Sequence, residues 1–290
     1  MLYMQVDVPM QRLPVSNWLL IGVTVLASVR LFLADGHAGS RGRPDIDFDP
    51  QVIRQLENSR LTNDQRQEIL KRAIRVGEPV PSFQYALNTD PGDFRPWQLV
   101  TYLFVHADVW HLFGNMLFLF CFGNAVNAKL GHLPFVGLYL LCGVFAGVGW
   151  LAFGSEGPLV GASGAISGIT GVFLVLYPLN RIAIWDMFWM WITGDALHFP
   201  SWVFIVFYMA MDFVGTLTAW GGSVAYVCHL AGETLGIAIA FALVRAGLIS
   251  SGRGERNLLE IWGIVEDKGR RRRRARFDLP PAEPEGLLDS

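Results

Sequence analysis

The chain alternates between long apolar blocks and short polar breaks. A block of about 20 residues with few charges is long enough to cross the hydrocarbon core of a bilayer. Six segments read this way. Span one covers Trp18–Leu33, with Arg30 near its far end, where the side chain can snorkel to the interface. Asp7 and Arg12 precede it rather than a basic cluster, and no A-x-A site stands out, so it reads as an uncleaved anchor. Span two starts near Val109, behind Asp108 as N-cap, and ends near Lys129. Spans three to six cover Leu133–Phe153, Ala162–Tyr177, Ser201–Ala219 and Ser223–Leu248. Span four is short and is closed by Pro178.

The polar breaks differ in kind. Residues 35–94 are charged and mixed in sign. Asp49-Pro50 reads as an N-cap and first helical position, and Thr62-Asn-Asp-Gln65 as a capping box, so this insertion is expected to hold an amphipathic helical hairpin. The run PWQLVTYLFVHA before span two has no cap and is expected in or near the interface, with Trp97 and Tyr102 at headgroup level. Residues 180–199, rich in Trp and Phe, are too short to cross and read as interfacial. The expected organisation is a short N-terminus (1–16), the first span (17–34), the insertion (35–94), a core of five further spans (95–248) and a basic, disordered tail (249–290).

Composition agrees with a membrane protein. Of 290 residues, 52% are hydrophobic and only 17% charged, and the mean hydropathy is +0.36. Cys121, Cys142 and Cys228 all lie in apolar blocks and form no disulfide framework. The net charge of -2 says little, because the charge is unevenly placed. Lys129, Arg181, Arg245, Arg253 and Arg256 follow spans two, four and six, whereas GSEGPLV and TAWGG after spans three and five carry no Lys or Arg. By the positive-inside rule both termini are cytoplasmic and the insertion is outside.

In that topology spans two, four and six run the same way, and each carries polar groups near its N-terminal end. His111 and Asn115 share one face of span two, Ser163 lies in the first turn of span four, and His229 lies about two turns into span six. Polar side chains in hydrocarbon are costly and face the bundle interior or a wet cavity. A serine, a histidine able to take its proton, and donors for an oxyanion are the parts needed for acyl transfer. Gly161, Gly164, Gly168 and Gly171 line one side of span four, and Gly232 and Gly236 repeat a small-xxx-small spacing on span six, so the two helices can approach closely. Taken singly, a glycine-rich G-x-S-G is a packing motif and a lone membrane histidine is a satisfied one; the joint occurrence at matched depth favours chemistry. His106, His111 and His229 make a poor metal set, because an i, i+5 pair does not share a face and no carboxylate or cysteine completes it. No metal and no cofactor is expected.

HADVWHLFGN, GASGAISG around Ser163 and HLAGETLG from His229, in that order on separate spans, resemble the rhomboid intramembrane serine proteases. The resemblance covers roughly residues 95–245 and extends to PWQLVTYLF, VNAKLG and YPLNRI. It implies an all-α polytopic membrane protein with a six-transmembrane-helix rhomboid-like bundle. It implies Ser163 as nucleophile and His229 as base, a dyad without aspartate. It implies Asn115, His111 and the Ser163 amide as oxyanion donors, Gly161 at the sharp turn into span four, and a structural His106. The chain departs from the family at three kinds of position. Gln98 stands where some members have Arg, and Ser167 where some have an aromatic ring stacked on the histidine. Glu233, one turn beyond His229, and Asp212 in span five are unexpected acids; Glu233 is a candidate to hold or tune His229, and otherwise both are buried acids, protonated or hydrogen-bonded.

The function expected is cleavage of other proteins' membrane spans near their outer ends, at small residues, with spans two and five flexing to admit substrate. A catalytically silent client-binding relative and a transporter are the alternatives. The partners expected are transmembrane protein substrates and the lipid bilayer, with a homo-oligomer allowed and no nucleic acid. The location expected is a bacterial inner membrane.

Overall fold

The structure is a computed structural model that describes residues 3–41, 62, 81–154, 157–185, 193–218, 225–252 and 255–266. Among the described residues five helices are long and apolar enough to cross a membrane: Val15–Gly36, Val109–Leu130, His132–Phe153, Ser201–Thr218 and Tyr226–Arg245. The shorter apolar helix Ser163–Leu176 joins them as span four. The protein is therefore an all-α polytopic bundle with one small sheet. The expected hairpin of the insertion lies outside the described residues apart from Thr62.

Span four forms the centre. From Gly164 to Leu176 every residue is buried except Ser167. Its 14 residues rise only about 21 Å, against about 30 Å of hydrocarbon. A helix that short survives in a membrane because protein, not lipid, surrounds it, and one of its ends is recessed. Spans three and six pack on it directly, and bare backbone makes this possible. A Cβ on Gly164 would meet the Ala146 Cβ and the Cys228 Sγ at 2.6 Å, and Gly232 lies against the carbonyl of Gly164.

Span one is mostly lipid-facing and is held at two polar points. Near one end, Asn17 Nδ2 donates to the Leu119 carbonyl (2.9 Å) and to Asn124 Oδ1 (2.8 Å). Leu119 opens a π-helical turn, Leu119–Gly123, which interrupts span two; such a turn loosens the regular backbone ladder, and Asn17 satisfies one of its carbonyls. Further along, Ser28 Oγ donates to the Phe104 carbonyl (3.0 Å) and bonds His106 Nδ1 (2.9 Å).

Several expectations change. In the segment 180–199, expected to be interfacial, the described residues contribute to two strands. β2 (Arg181–Trp185) pairs antiparallel with β1 (Tyr3–Val6) and with β3 (Leu197–Pro200). This sheet puts the residues before span one and after span four on one face of the bundle. Tyr102 is fully buried rather than at headgroup level, because its hydroxyl donates to the Gly143 carbonyl (2.7 Å) inside the bundle; Trp97 stays 56% exposed. The start of the tail is ordered. Asn257 and Glu260 form a capping box on Leu258–Ile261, and Glu255 pairs with Lys129 at 3.3 Å, both side chains buried.

Candidate active site

The face opposite the sheet carries the loop 81–108 and the turn into span four. Leu87 and Leu159 exchange backbone hydrogen bonds (2.9 and 2.8 Å), and the Gly161 amide donates to the Tyr102 carbonyl (3.0 Å). Gln98, which is buried, ties this loop together. Its Oε1 accepts from the Arg95 amide (2.9 Å) and its Nε2 donates to the Gln84 carbonyl (3.2 Å). Gly161 has φ +112°, a conformation that L side chains rarely adopt. A Cβ there would also meet the His111 ring at 2.7 Å. The chain can thus turn sharply and place Ser163 as the first residue of span four, beside His111.

Asp108 caps span two as expected, accepting from the amides of Trp110 (2.8 Å) and His111 (2.9 Å). The His111 amide, foremost, holds this exposed carboxyl below its usual range. His106 is buried, with its ring edge-on to His111 at 5.2 Å. Burial, with His111 as a smaller cause, pushes the His106 ring down to about 3, so it is neutral.

Inside the bundle three side chains from three spans form one line. His229 Nε2 lies 2.9 Å from Ser163 Oγ, and His229 Nδ1 lies 3.0 Å from Asp212 Oδ1. Asp212 is 3% exposed. In the tautomer that carries Nδ1–H, His229 donates to Asp212 Oδ1 and its Nε2 accepts from the serine hydroxyl. Span six begins at Tyr226, so His229 lies in its first turn rather than its second. The Tyr226 ring meets the His229 ring edge-on, 6.4 Å between centroids. It gives the imidazole an aromatic neighbour even though Ser167 supplies none.

Glu233 does not hold His229. Both imidazole nitrogens are committed to other spans, and Glu233 Oε2 has no hydrogen-bond partner among the described residues. The acid that sequence reasoning left without a role, Asp212, makes that bond instead. Its signal was an Asp inside an apolar span, which hydrocarbon tolerates only with a partner.

Asn115 is buried, and its Nδ2 is likewise without a partner among the described residues. It would lie 3.5 Å from a Cβ on Gly161, on the same side as His111. The first intrahelical bond of span four runs from the Ile166 amide to the Ala162 carbonyl (3.0 Å), so the amides of the first turn remain available at Ser163. Ser163, His229, His111, Asn115 and Glu233 line a cavity of about 430 Å³ that also touches Ala107, Asp108 and Trp110, the last 81% exposed. Among the described residues no group of His, Cys, Asp and Glu could hold a metal ion.

Fold and site define a class: a polytopic helical membrane protein with a serine, a histidine and an aspartate in hydrogen-bond sequence within its bundle. A family model described as the rhomboid domain matches residues 93–246. The chain belongs to the rhomboid family. Its relatives include "Rhomboid protein 1, mitochondrial" of Saccharomyces cerevisiae, 31% identical over 149 residues, 49% of this chain and 40% of that protein. They include "Presenilin-associated rhomboid-like protein, mitochondrial" of Homo sapiens, 29% identical over 171 residues, 57% of this chain and 42% of that protein. "Rhomboid-like protein 11, chloroplastic" of Arabidopsis thaliana is 32% identical over 158 residues, 52% of this chain and 54% of that protein. The chain thus spans about half, or less, of the length of the curated relatives it matches. Their names place them in mitochondria and chloroplasts and lend no support to a bacterial inner membrane; an integral membrane location is what stands.

Proposed function

We propose that this protein is an intramembrane serine protease that hydrolyses peptide bonds in or near the spans of membrane-protein substrates. The observation that carries the reading is the unbroken Ser163–His229–Asp212 sequence of hydrogen bonds at 2.9 and 3.0 Å, beside the unpaired donor of Asn115.

Ser163 Oγ attacks the scissile carbonyl carbon while its proton passes to His229 Nε2. Asp212 accepts the Nδ1–H bond throughout, which fixes the tautomer and stabilises the imidazolium as it forms. Asp212 acts through His229 and is a positioning residue. The oxyanion receives hydrogen bonds from Asn115 Nδ2, His111 and the Ser163 amide. As the tetrahedral carbon collapses, the C–N bond breaks and His229 returns its proton to the leaving amine. Water then attacks the ester carbonyl while His229 takes its proton; as the C–O bond breaks, His229 returns that proton to Ser163 Oγ and the new carboxyl terminus leaves.

The recessed end of span four accounts for the water. Ser163 sits below the level that a full-length span would reach, and the cavity connects it to the exposed rim at Asp108 and Trp110. The partners proposed are single-span proteins in the same bilayer, reached from within it; a homo-oligomer adds nothing the site requires. Cytoplasmic termini remain a proposal that rests on the basic residues after spans two, four and six.

The test is reconstitution of the full chain in liposomes with a single-span substrate. Wild type is expected to cut it at one site, and Ser163→Ala to leave it intact. Cleavage that survives Ser163→Ala sinks the reading.

A further inference from the structure

One turn below Ser163 and His229, spans four and six carry a second polar pair. Ser167 follows Ser163 by four residues and Glu233 follows His229 by four, so each shares its predecessor's helix face. Ser163 and Ser167 are the two residues of span four that are not buried, and both line the cavity. Glu233, Thr170, Phe204 and Tyr208 line it with them. Glu233 is only 4% exposed, and its Oε2 is unpartnered among the described residues. Thr170 cannot serve it as donor, because its hydroxyl is given to the Ile166 carbonyl (2.9 Å). No Lys or Arg lines the cavity among the described residues, and Asp212 adds a second carboxyl nearby. An acid without a full set of partners in hydrocarbon is costly, and although Oε2 is enclosed, the Glu233 side chain forms part of the cavity lining.

We propose that this lower chamber receives the side chain of the residue whose carbonyl is cleaved, and that Glu233 selects a long cationic side chain there, lysine or arginine. The proposal rests on the protease reading. A carbonyl carbon at Ser163 Oγ, with its oxygen toward Asn115 and His111, leaves the chamber below as the enclosed space open to that residue's side chain. The four-carbon stem of lysine is on the order of one helical turn, about 5.4 Å, which is the step from the His229 level to the Glu233 level. The stem crosses apolar walls and the ammonium meets the carboxyl where little water competes, so the pair is strong and a neutral side chain leaves Glu233 unpaired. Small residues, the first expectation for the scissile position, leave the chamber empty.

The test uses the full-length protein in liposomes and single-span substrates that differ only at the scissile residue: alanine, leucine, lysine and arginine. Wild type is expected to cut the lysine and arginine substrates with kcat/KM at least about tenfold above leucine. Glu233→Gln is expected to lower the lysine-to-alanine ratio by about tenfold, and Glu233→Asp, one methylene shorter, to shift the preference from lysine toward the longer arginine. A wild type that cuts lysine no faster than leucine overturns the proposal, as does a lysine-to-alanine ratio that Glu233→Gln leaves unchanged. Cleavage that persists in Ser163→Ala overturns the protease reading and this proposal together; a panel that depends on Ser163 but ignores Glu233 overturns this proposal alone.

Discussion

Spans four and six carry two polar layers one turn apart, each a serine on one helix facing an acid–base side chain on the other. In the upper layer Ser163 meets His229, and His229 meets Asp212 across from span five. In the lower layer Ser167 and Glu233 share the cavity, but Glu233 Oε2 has no partner among the described residues. Similar residue types on the same two helices thus end in opposite states, one satisfied and one orphaned. The difference comes from a third span. Asp212 reaches the upper imidazole from outside the close-packed pair, whereas among the described residues no donor reaches Glu233 Oε2. A polar residue in hydrocarbon therefore acquires a role through its neighbours on other helices, not through its own position.

The largest effect that separates the layers is loss of the upper one. Ser163→Ala or His229→Ala is expected to reduce the cleavage rate about 10⁵-fold or more, because such residues act as a unit. Ser167→Ala, measured in the same liposomes, is expected to retain cleavage.

Next comes the third span. Asp212→Asn keeps the shape and removes the charge that stabilises the imidazolium. The expected result is a fall in kcat of about 10²- to 10⁴-fold with KM little changed. A merely structural Asp212 predicts a lower melting temperature with kcat intact in the folded fraction.

The spacing of both layers depends on Gly164. Gly164→Ala would drive a Cβ to 2.6 Å from the Ala146 Cβ and the Cys228 Sγ. Overpacking of this kind costs about 1–3 kcal/mol, read as a lower melting temperature in detergent together with reduced cleavage.

The effect least coupled to cleavage lies above both layers, at the rim. His106 titrates near 6.5 in an unfolded chain and at about 3 when buried here. The unfolded chain binds that proton first as the pH falls. Its contribution to stability is complete above about 6.5 and is lost progressively down to about 3. Melting curves from pH 7 to pH 4 are expected to fall more steeply for wild type than for His106→Gln.

Much of the upper layer was legible in the sequence. Ser163, His229, His111 and Asn115 are polar residues in apolar spans, and helical spacing put them at one depth. Asp212 was visible as a buried acid, but its partner depends on how span five is rotated against span six, which periodicity within either helix does not encode. Glu233 was misassigned for the same reason. An i, i+4 step from His229 suggests a partner, yet both ring nitrogens were already taken by other spans. The sheet escaped because β1 and β2 are separated by four spans, and pairing at that range leaves no local pattern. Tyr102 was misplaced because an aromatic residue near a membrane surface fits the interface and the core equally well, until the Gly143 carbonyl shows where its hydroxyl goes.

The contrast between the layers is tested most directly by a fluorophosphonate, which forms a covalent bond only with an activated serine. After treatment of the folded wild-type protein, peptide mass mapping is expected to find the phosphonyl adduct on Ser163, none on Ser167, and none at all in His229→Ala. An adduct on Ser167, or labelling of Ser163 that persists without His229, would contradict the account.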